Sequence, residues 1–350
     1  MEKVRAGPDR LAELRRAYER VEPDEGKAPA GKLFPFTLPA LKYMLLDAKG
    51  RDKERFEEAT GEMREKRGIE ITLWPRLALA MEIWRRSVGV GREEYERRRA
   101  PEIANLFMVF CGIGDALSEQ MMLSKEGKKA QYPKCIYSAK VYEPEELLGD
   151  FVKAMERLID EAEKEPGRRE LVRRLLNESI RWSFESAVRE DGLRERERKG
   201  AHPSVKEVLE VHHLKTGGNV KLFVEAMNFL HHLENEPRAR KFAEVSYAMG
   251  RATQVLDDAK DIEKDLKEGW PNLFVAAAME CGEIGKLGSA TEEGRIPGRF
   301  GRLAWLRGRL PKTYGRAMGA YYRFAEECEA YFGVEWKFYK AYSMWQKDEH

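Results

Sequence analysis

The chain has 350 residues, 42% hydrophobic and 35% charged, the composition of a soluble globular protein with one large domain or two ordinary ones. Its 63 basic and 61 acidic side chains leave a formal charge of +2, which argues against nucleic acid as the main partner. Cys111, Cys135, Cys281 and Cys328 stand far apart with no CxxC spacing, so they read as reduced thiols of a cytoplasmic protein; the charged N-terminus lacks a signal-peptide core, and no apolar run approaches the ~20 residues that span a bilayer.

Apolar residues recur at three- and four-residue steps with no sustained alternation of the strand kind, so the fold class is all-α. RLAELRRAYERV is a first amphipathic candidate, broken by the Pro/Gly-rich PDEGKAPAGKLFPFTLP before LKYMLLDAKGRDKERFEEATGEMREKRG. WPRLALAMEIWRRS supplies another apolar face. PEIANLFMVFCGIGDALSEQMML is apolar nearly all round and reads as a central helix. KEGKKAQYPKCIYSAKVYEP reads as an irregular connection, followed by two strong helices, EELLGDFVKAMERLIDEAEKE and RRELVRRLLNESIRWSFESAVRE, on either side of Pro166-Gly167. LRERERKGAHP is expected to be a charged loop. In SVKEVLEVHHLKTGGNVKLFVEAMNFLHHLE, Gly217 and Gly218 mark a break or a close packing point. ARKFAEVSYAMGRATQVLDDAKDIEKDL reads as one long helix stopped by Gly269 and Pro271. Beyond Cys281 the Gly/Arg-rich stretch to Arg316 is expected to be partly looped, before a last aromatic helix from about Ala317 to Phe332.

The long helix sets Asp257, Asp258, Asp261, Glu263 and Asp265 within nine residues. Asp257, Asp261 and Asp265 stand four apart and share one helical stripe, with a drift of about 40° per step. Such a row of carboxylates suits a hard divalent cation: Mg²⁺ prefers oxygen ligands and bridges one or two carboxylates to substrate phosphates. The alternative is a solvated acidic face balanced by Lys260, Lys264 and Lys267 through i,i+3 and i,i+4 pairs. Asp258 lies off the stripe, as a supporting acceptor or simply against its neighbours. Gln254 and Arg251, one and two turns earlier, add polar groups to an otherwise burying segment. A second acidic pair, Asp115 and Glu119, ends the uncharged run ANLFMVFCGIG, where a carboxylate requires a cation, a donor or solvent.

Three blocks carry a family resemblance. SVKEVLEVHHLKTGG is similar to the Lys-Thr segment of prenyl diphosphate synthases, here Lys215 and Thr216. YAMGRATQVLDDAKD resembles their second aspartate-rich motif, and KDLKEGWPNLF the Lys- and Gly-rich stretch after it. The chain thus resembles a divergent member of the class I isoprenoid synthase superfamily, which joins trans-prenyl diphosphate synthases, squalene and phytoene synthases, and terpene synthases. The resemblance runs from about Glu102 to Phe274. It implies an N-terminal segment over residues 1–30 and one all-helical domain over 31–350, a single large bundle around a central apolar cavity.

The resemblance also implies Mg²⁺ and an isoprenyl diphosphate substrate. Asp115 and Glu119 would hold one metal pair, and Asp257, Asp261 and Asp265, with Asp258 nearby, the other; Asp115, Asp257 and Asp261 would be catalytic. Lys215, Arg251, Gln254 and Lys264 would meet the diphosphate, while Phe107, Met108, Phe110, Met121, Met122, Phe223, Met227 and Phe229 would line the cavity or simply pack. The first motif departs from DDxxD to a DxxxE arrangement, closer to squalene and phytoene synthases or to unusual terpene synthases. Terpene-synthase or head-to-head condensing chemistry is therefore expected over chain elongation. Elongation and a noncatalytic regulatory homologue stand as alternatives, and a homodimer and peripheral membrane contact stay open.

His212-His213 and His231-His232 are sequence neighbours that cannot share a helix face, which points to packing or surface roles rather than zinc. The arginines from Arg295 to Arg316, interleaved with Phe300, Trp305 and Tyr314, read as a solvated loop, with a lid or a membrane-surface patch as alternatives. Tyr321, Tyr322 and Arg323 would close a site or pack.

Overall fold

The computed structural model describes residues 70–71, 75–107, 110–111, 136–137, 144–297 and 299–332. Among them, helices dominate: α1 (Pro75–Val88), α2 (Arg92–Arg97), α3 (Pro144–Ala162), α4 (Pro166–Arg198), α5 (Val205–His212), a π-helical turn (His213–Gly218), α6 (Asn219–Leu230), α7 (Pro237–Glu268), α8 (Leu273–Glu280), α9 (Ile284–Glu292), α10 (Arg299–Arg309) and α11 (Pro311–Phe332). Residues 100–107 are also helical. The extended segments described are two residues each: β1 (Glu70–Ile71) pairs antiparallel with β2 (Ile136–Tyr137), Glu70 opposite Tyr137. The expected helices before Glu70, the N-terminal segment of residues 1–30, and Met108, Asp115, Glu119, Met121 and Met122 lie outside the described residues.

The described chain falls into two units. One comprises Val188–Gly217 and everything from Val245 onward; the other runs up to Ala187 and takes in Gly218–Glu244. In the second, Trp84 is buried and donates its indole N–H to Asn228 Oδ1 at 2.9 Å, while Asn228 Nδ2 donates to the Ala239 carbonyl at 3.0 Å. Phe107 stacks on Phe223 with ring centroids 4.7 Å apart, and Met227 is fully buried. Glu163, just past α3, collects Arg98 at 3.1 Å and His232 at 3.1 Å.

In the first unit α7 presents Ala252, Val255, Leu256, Ala259 and Ile262 as its buried face. The short apolar α8 packs against α5 and α11, and α10 packs on α11. Ser204 caps α5 through a capping box with Glu207, both reciprocal bonds being present. Helix α7 ends where Gly269 takes φ = 72°, a left-handed conformation open to glycine, with Trp270 N–H returning to the Asp265 carbonyl at 2.9 Å.

Two expectations are corrected. The charged segment from Leu193 is not a loop at its start: α4 continues through Arg198, because Leu193 and Arg194 are buried and the Arg194 guanidinium lies 4.0 Å from the Trp270 ring centroid. The Gly/Arg-rich stretch after Cys281 is mostly helical, in α9, α10 and the start of α11, which begins at Pro311 rather than near Ala317. Leu287, Leu306, Leu310 and Ala317 are buried and give these helices an apolar side despite their glycines. Among the described residues, no helix is long and apolar enough to cross a membrane.

Candidate functional site

The acidic segment sits on the C-terminal half of α7, and the structure separates its carboxylates into two kinds. Asp258 is 4% exposed, on the side of Val255 and Ile262. Its Oδ2 accepts the Leu273 backbone N–H at 2.7 Å and lies 3.1 Å from His212 Nε2, while its Oδ1 accepts from Gln254 Nε2 at 3.2 Å. Asn272 completes the arrangement. Its Nδ2 donates to the Asp258 carbonyl at 2.7 Å and to Asp265 Oδ2 at 2.8 Å, and its Oδ1 caps α8 by accepting from Phe274 and Val275. Asp258 therefore binds α7 to α5 and to the start of α8.

Asp257 points the other way. Its side chain keeps 32% exposure and pairs with the Lys260 ammonium, itself nearly fully buried. Asp261, one turn further, is half-buried. Asp265 keeps some solvent contact, yet the surrounding protein raises its carboxyl well above the usual range; the Asn272 bond opposes that shift, and the charges of Asp258 and Asp261 add to it. Arg302, on α10, donates to the Lys260 carbonyl and bonds Glu263 at 2.6 Å.

The basic residues divide as well. Lys215, in the π-turn, reaches Glu190 at 3.1 Å. Lys264 is exposed, 3.9 Å from Glu268. Arg251 turns toward the N-terminus of α7: its guanidinium carbon lies 5.8 Å from the centroid of Tyr247, its i−4 neighbour, and 4.8 Å from that of Phe324. Asp257 lies six residues in the other direction, about 9 Å of helix rise away. Arg251 is 7% exposed, and burial holds its pKa below the usual value, with Arg323 adding to the effect. Burying an ion effectively costs several kcal/mol, while each cation–π contact returns about 1–2 kcal/mol.

Glycines let these pieces meet. A Cβ at Gly250 would run into the Thr216 carbonyl oxygen, and one at Gly217 would lie 2.7 Å from Arg251 Cδ. The Lys-Thr segment therefore lies directly on α7, and the close-packing expectation for Gly217 holds. His213 Nδ1 lies 3.1 Å from the Tyr247 hydroxyl, and Tyr322 meets Tyr314 hydroxyl to hydroxyl at 3.2 Å. His231 packs edge-on to Trp84 at 5.1 Å.

Sequence reasoning missed Asn272 and His212 as partners of the acidic segment, whereas the i,i+3 pair of Lys260 with Asp257 is the one its solvated-face alternative contained. Asn272 had a legible signal: an Asn directly before an apolar run is a helix N-cap signature. Among the described residues no group of three or more His, Cys, Asp or Glu side chains is gathered as a metal would need. Asp257 and Asp261 nonetheless fit Mg²⁺ as a two-carboxylate oxygen donor pair one turn apart with solvent access, the number that cation commonly takes beside substrate phosphates.

Neither a family model nor a curated protein matches the chain. Among solved structures it is similar to a geranylgeranyl pyrophosphate synthetase from the archaeon Geoglobus acetivorans, with a TM-score of 0.59 and 16% identity over 88% of this chain and 99% of that one. The likeness is one of fold: the chain has the all-helical architecture of that synthase.

Proposed function

We propose that the protein is a Mg²⁺-dependent class I isoprenoid synthase that ionises an allylic isoprenyl diphosphate and releases pyrophosphate, with terpene-synthase or condensing chemistry ahead of elongation. The observation that carries this reading is the division of the aspartates. Asp258 is locked into the core, and that lock fixes the helical phase so that Asp257 and Asp261 stand together with access to solvent. The fold shared with a geranylgeranyl pyrophosphate synthetase supports it.

In this reading Asp257 and Asp261 hold the metal, with Asp265 at the end of the stripe and Asp115 and Glu119 as the first-motif ligands. Bound Mg²⁺ would neutralise the charge that develops on the departing diphosphate. Lys264 and Lys215 supply cations for its oxygens, Lys215 by leaving Glu190, and Gln254 fixes Asp258 from one turn away. Asp258 and Asn272 act through position: they set where α7 stands against α5 and α8. The carbocation left behind requires a dry apolar surface.

Incubating the purified protein with prenyl diphosphates of several lengths and Mg²⁺ should release pyrophosphate. Asp257→Ala and Asp261→Ala should abolish that release at unchanged helix content. Silence with every chain length would remove the enzymatic reading, and consumption of isopentenyl diphosphate would shift it to elongation. The ion pair of Lys260 with Asp257 favours one second reading, a noncatalytic homologue whose acidic stripe is neutralised from within. Pull-down of an active synthase together with absence of Mg²⁺ binding in calorimetry would select it.

A further inference from the structure

One hydroxyl on α7 stands between a base and a cation. Tyr247 and Arg251, one turn apart, lie against the π-turn: a Cβ at Gly217 would come within 2.9 Å of Tyr247 Cε2 and 2.7 Å of Arg251 Cδ. That turn begins with His213, whose Nδ1 is 3.1 Å from the Tyr247 hydroxyl, the two rings meeting edge to face at 5.7 Å. Phe324, on α11, packs edge-on to the Tyr247 ring at 6.2 Å and against Arg251. The phenol is thus held from three sides, yet Tyr247 and His213 are only half-buried.

The direction of the hydrogen bonds follows from the partners. A guanidinium can only donate, so the Tyr247 oxygen accepts from Arg251 Nη1, at 3.4 Å, and the phenolic proton is directed at His213 Nδ1. For that nitrogen to accept, the imidazole must be neutral. Burial lowers the His213 pKa, and the charges of Arg251 and Arg189 add to the effect, so His213 stays an acceptor. A phenol whose proton faces a base and whose oxygen faces a guanidinium has the parts of an activated nucleophile: the base takes the proton, and the cation steadies the charge left on oxygen. Tyr322 is the contrast within the same unit. It is more open, at 39% exposure, but its hydroxyl meets another phenol, Tyr314, at 3.2 Å.

We infer that Tyr247, with His213 as its base and Arg251 as the cation beside its oxygen, is a nucleophilic tyrosine that takes acyl-type groups, carboxylic or sulfonic, from donors whose leaving group departs as an anion. The phenolic oxygen forms the new bond to the carbonyl carbon or sulfonyl sulfur, and the bond to the leaving group breaks with its electron pair. The proton passes to His213 and on to solvent. Neither metal nor isoprenyl substrate enters, so the site stands or falls apart from the synthase reading.

Benzenesulfonyl fluoride, which loses fluoride, tests it on the full chain, with labelled tyrosines located by peptide mass spectrometry. Tyr247 should be sulfonylated at least tenfold faster than Tyr322, the reverse of their exposure. His213→Gln should slow labelling of Tyr247 at least tenfold and Arg251→Met several-fold, with the rate at Tyr322 unchanged in both as an internal standard. Arg251→Lys, which keeps a cation, should recover part of the loss. If Arg251→Met does not fold, His213→Gln, at a half-buried position, still decides. Labelling that follows exposure, with Tyr322 ahead of Tyr247, overturns the site. So does a Tyr247 rate that His213→Gln leaves unchanged, or sulfonylation of the His213 imidazole in place of the phenol.

Discussion

The carboxylate of Asp258 accepts the backbone N–H of Leu273 at 2.7 Å, which ties the acidic helix to the first turn of the helix that follows it. The same carboxylate meets His212 at 3.1 Å, so one buried acid joins three helices of its unit. Asp258→Ala would strand a buried N–H and an imidazole together, and should lower stability by about 3 kcal/mol. Asp257→Asn, which keeps a polar acceptor beside the nearly buried Lys260 ammonium, should cost less, about 1 kcal/mol. Urea midpoints at unchanged slope measure both. Equal losses from the two neighbours would contradict the division between them.

Gly250 carries a steric constraint of the same kind. Its missing Cβ leaves room for the Thr216 carbonyl, a backbone atom that cannot rotate aside. Gly250→Ala should therefore push the Lys-Thr turn off α7, at about 3 kcal/mol or more in stability. Under the synthase reading it should also lower turnover in the fraction that stays folded. A melting temperature within a degree or two of the wild type would show that the turn has slack.

Much of this was legible in the sequence. Helix α7 was expected to end at Gly269 and Pro271, and does, because a left-handed glycine and a proline act through local sterics. The helical phase of the acidic run was legible too, since Val255 and Ile262 lie at i−3 and i+4 from Asp258 and mark its side of the helix as interior. The continuation of α4 through Leu193–Arg198 was not, because Arg194 is held by Trp270 and the Glu268 carbonyl, more than seventy residues away. Nor was the pairing of Asp258 with His212, which no local periodicity encodes. The Gly/Arg-rich helices were misread because composition was weighed above the spacing of Leu303, Leu306 and Leu310.

Acid should weaken the fold through identifiable groups. His231 is buried against Trp84, and desolvation drives its pKa down to about 3, with Arg98 and Arg97 adding to the effect and Glu94 opposing it. The folded protein thus keeps it neutral where the unfolded chain protonates it. The sign follows: its contribution is complete above the unfolded value of about 6.5 and is lost as pH falls toward 3, with a slope approaching about 1.4 kcal/mol per pH unit. Glu207, bonded by Arg196 and Ser204, is pulled down to about 2, so its contribution is present above the ordinary carboxylate range and fades as pH drops through that range toward 2. Between pH 6.5 and 5 the decline should come chiefly from His231, with His213, whose burial also lowers its pKa, adding in the same direction, rather than from Glu207. His231→Phe should flatten the stability curve there, and Glu207→Gln should leave it unchanged; a steep slope persisting in His231→Phe would assign it elsewhere.

Lys260 offers the sharpest test of whether the acidic stripe takes a cation. Its ammonium is nearly fully buried on Asp257, and its backbone carbonyl is held by Arg302, so the lysine occupies its place whether or not a metal is present. A cation binding Asp257 must share that carboxylate with it, which raises the concentration of metal required. Lys260→Met keeps the apolar stem and removes the competing charge. Relief of a partly buried pair worth about 1.4 kcal/mol corresponds to about tenfold tighter Mg²⁺ binding by calorimetry. Adding Asp257→Asn should erase the gain. If Lys260→Met binds Mg²⁺ no better than the wild type, or the gain survives without Asp257, the carboxylate is not a metal ligand and the lysine is a structural counter-ion.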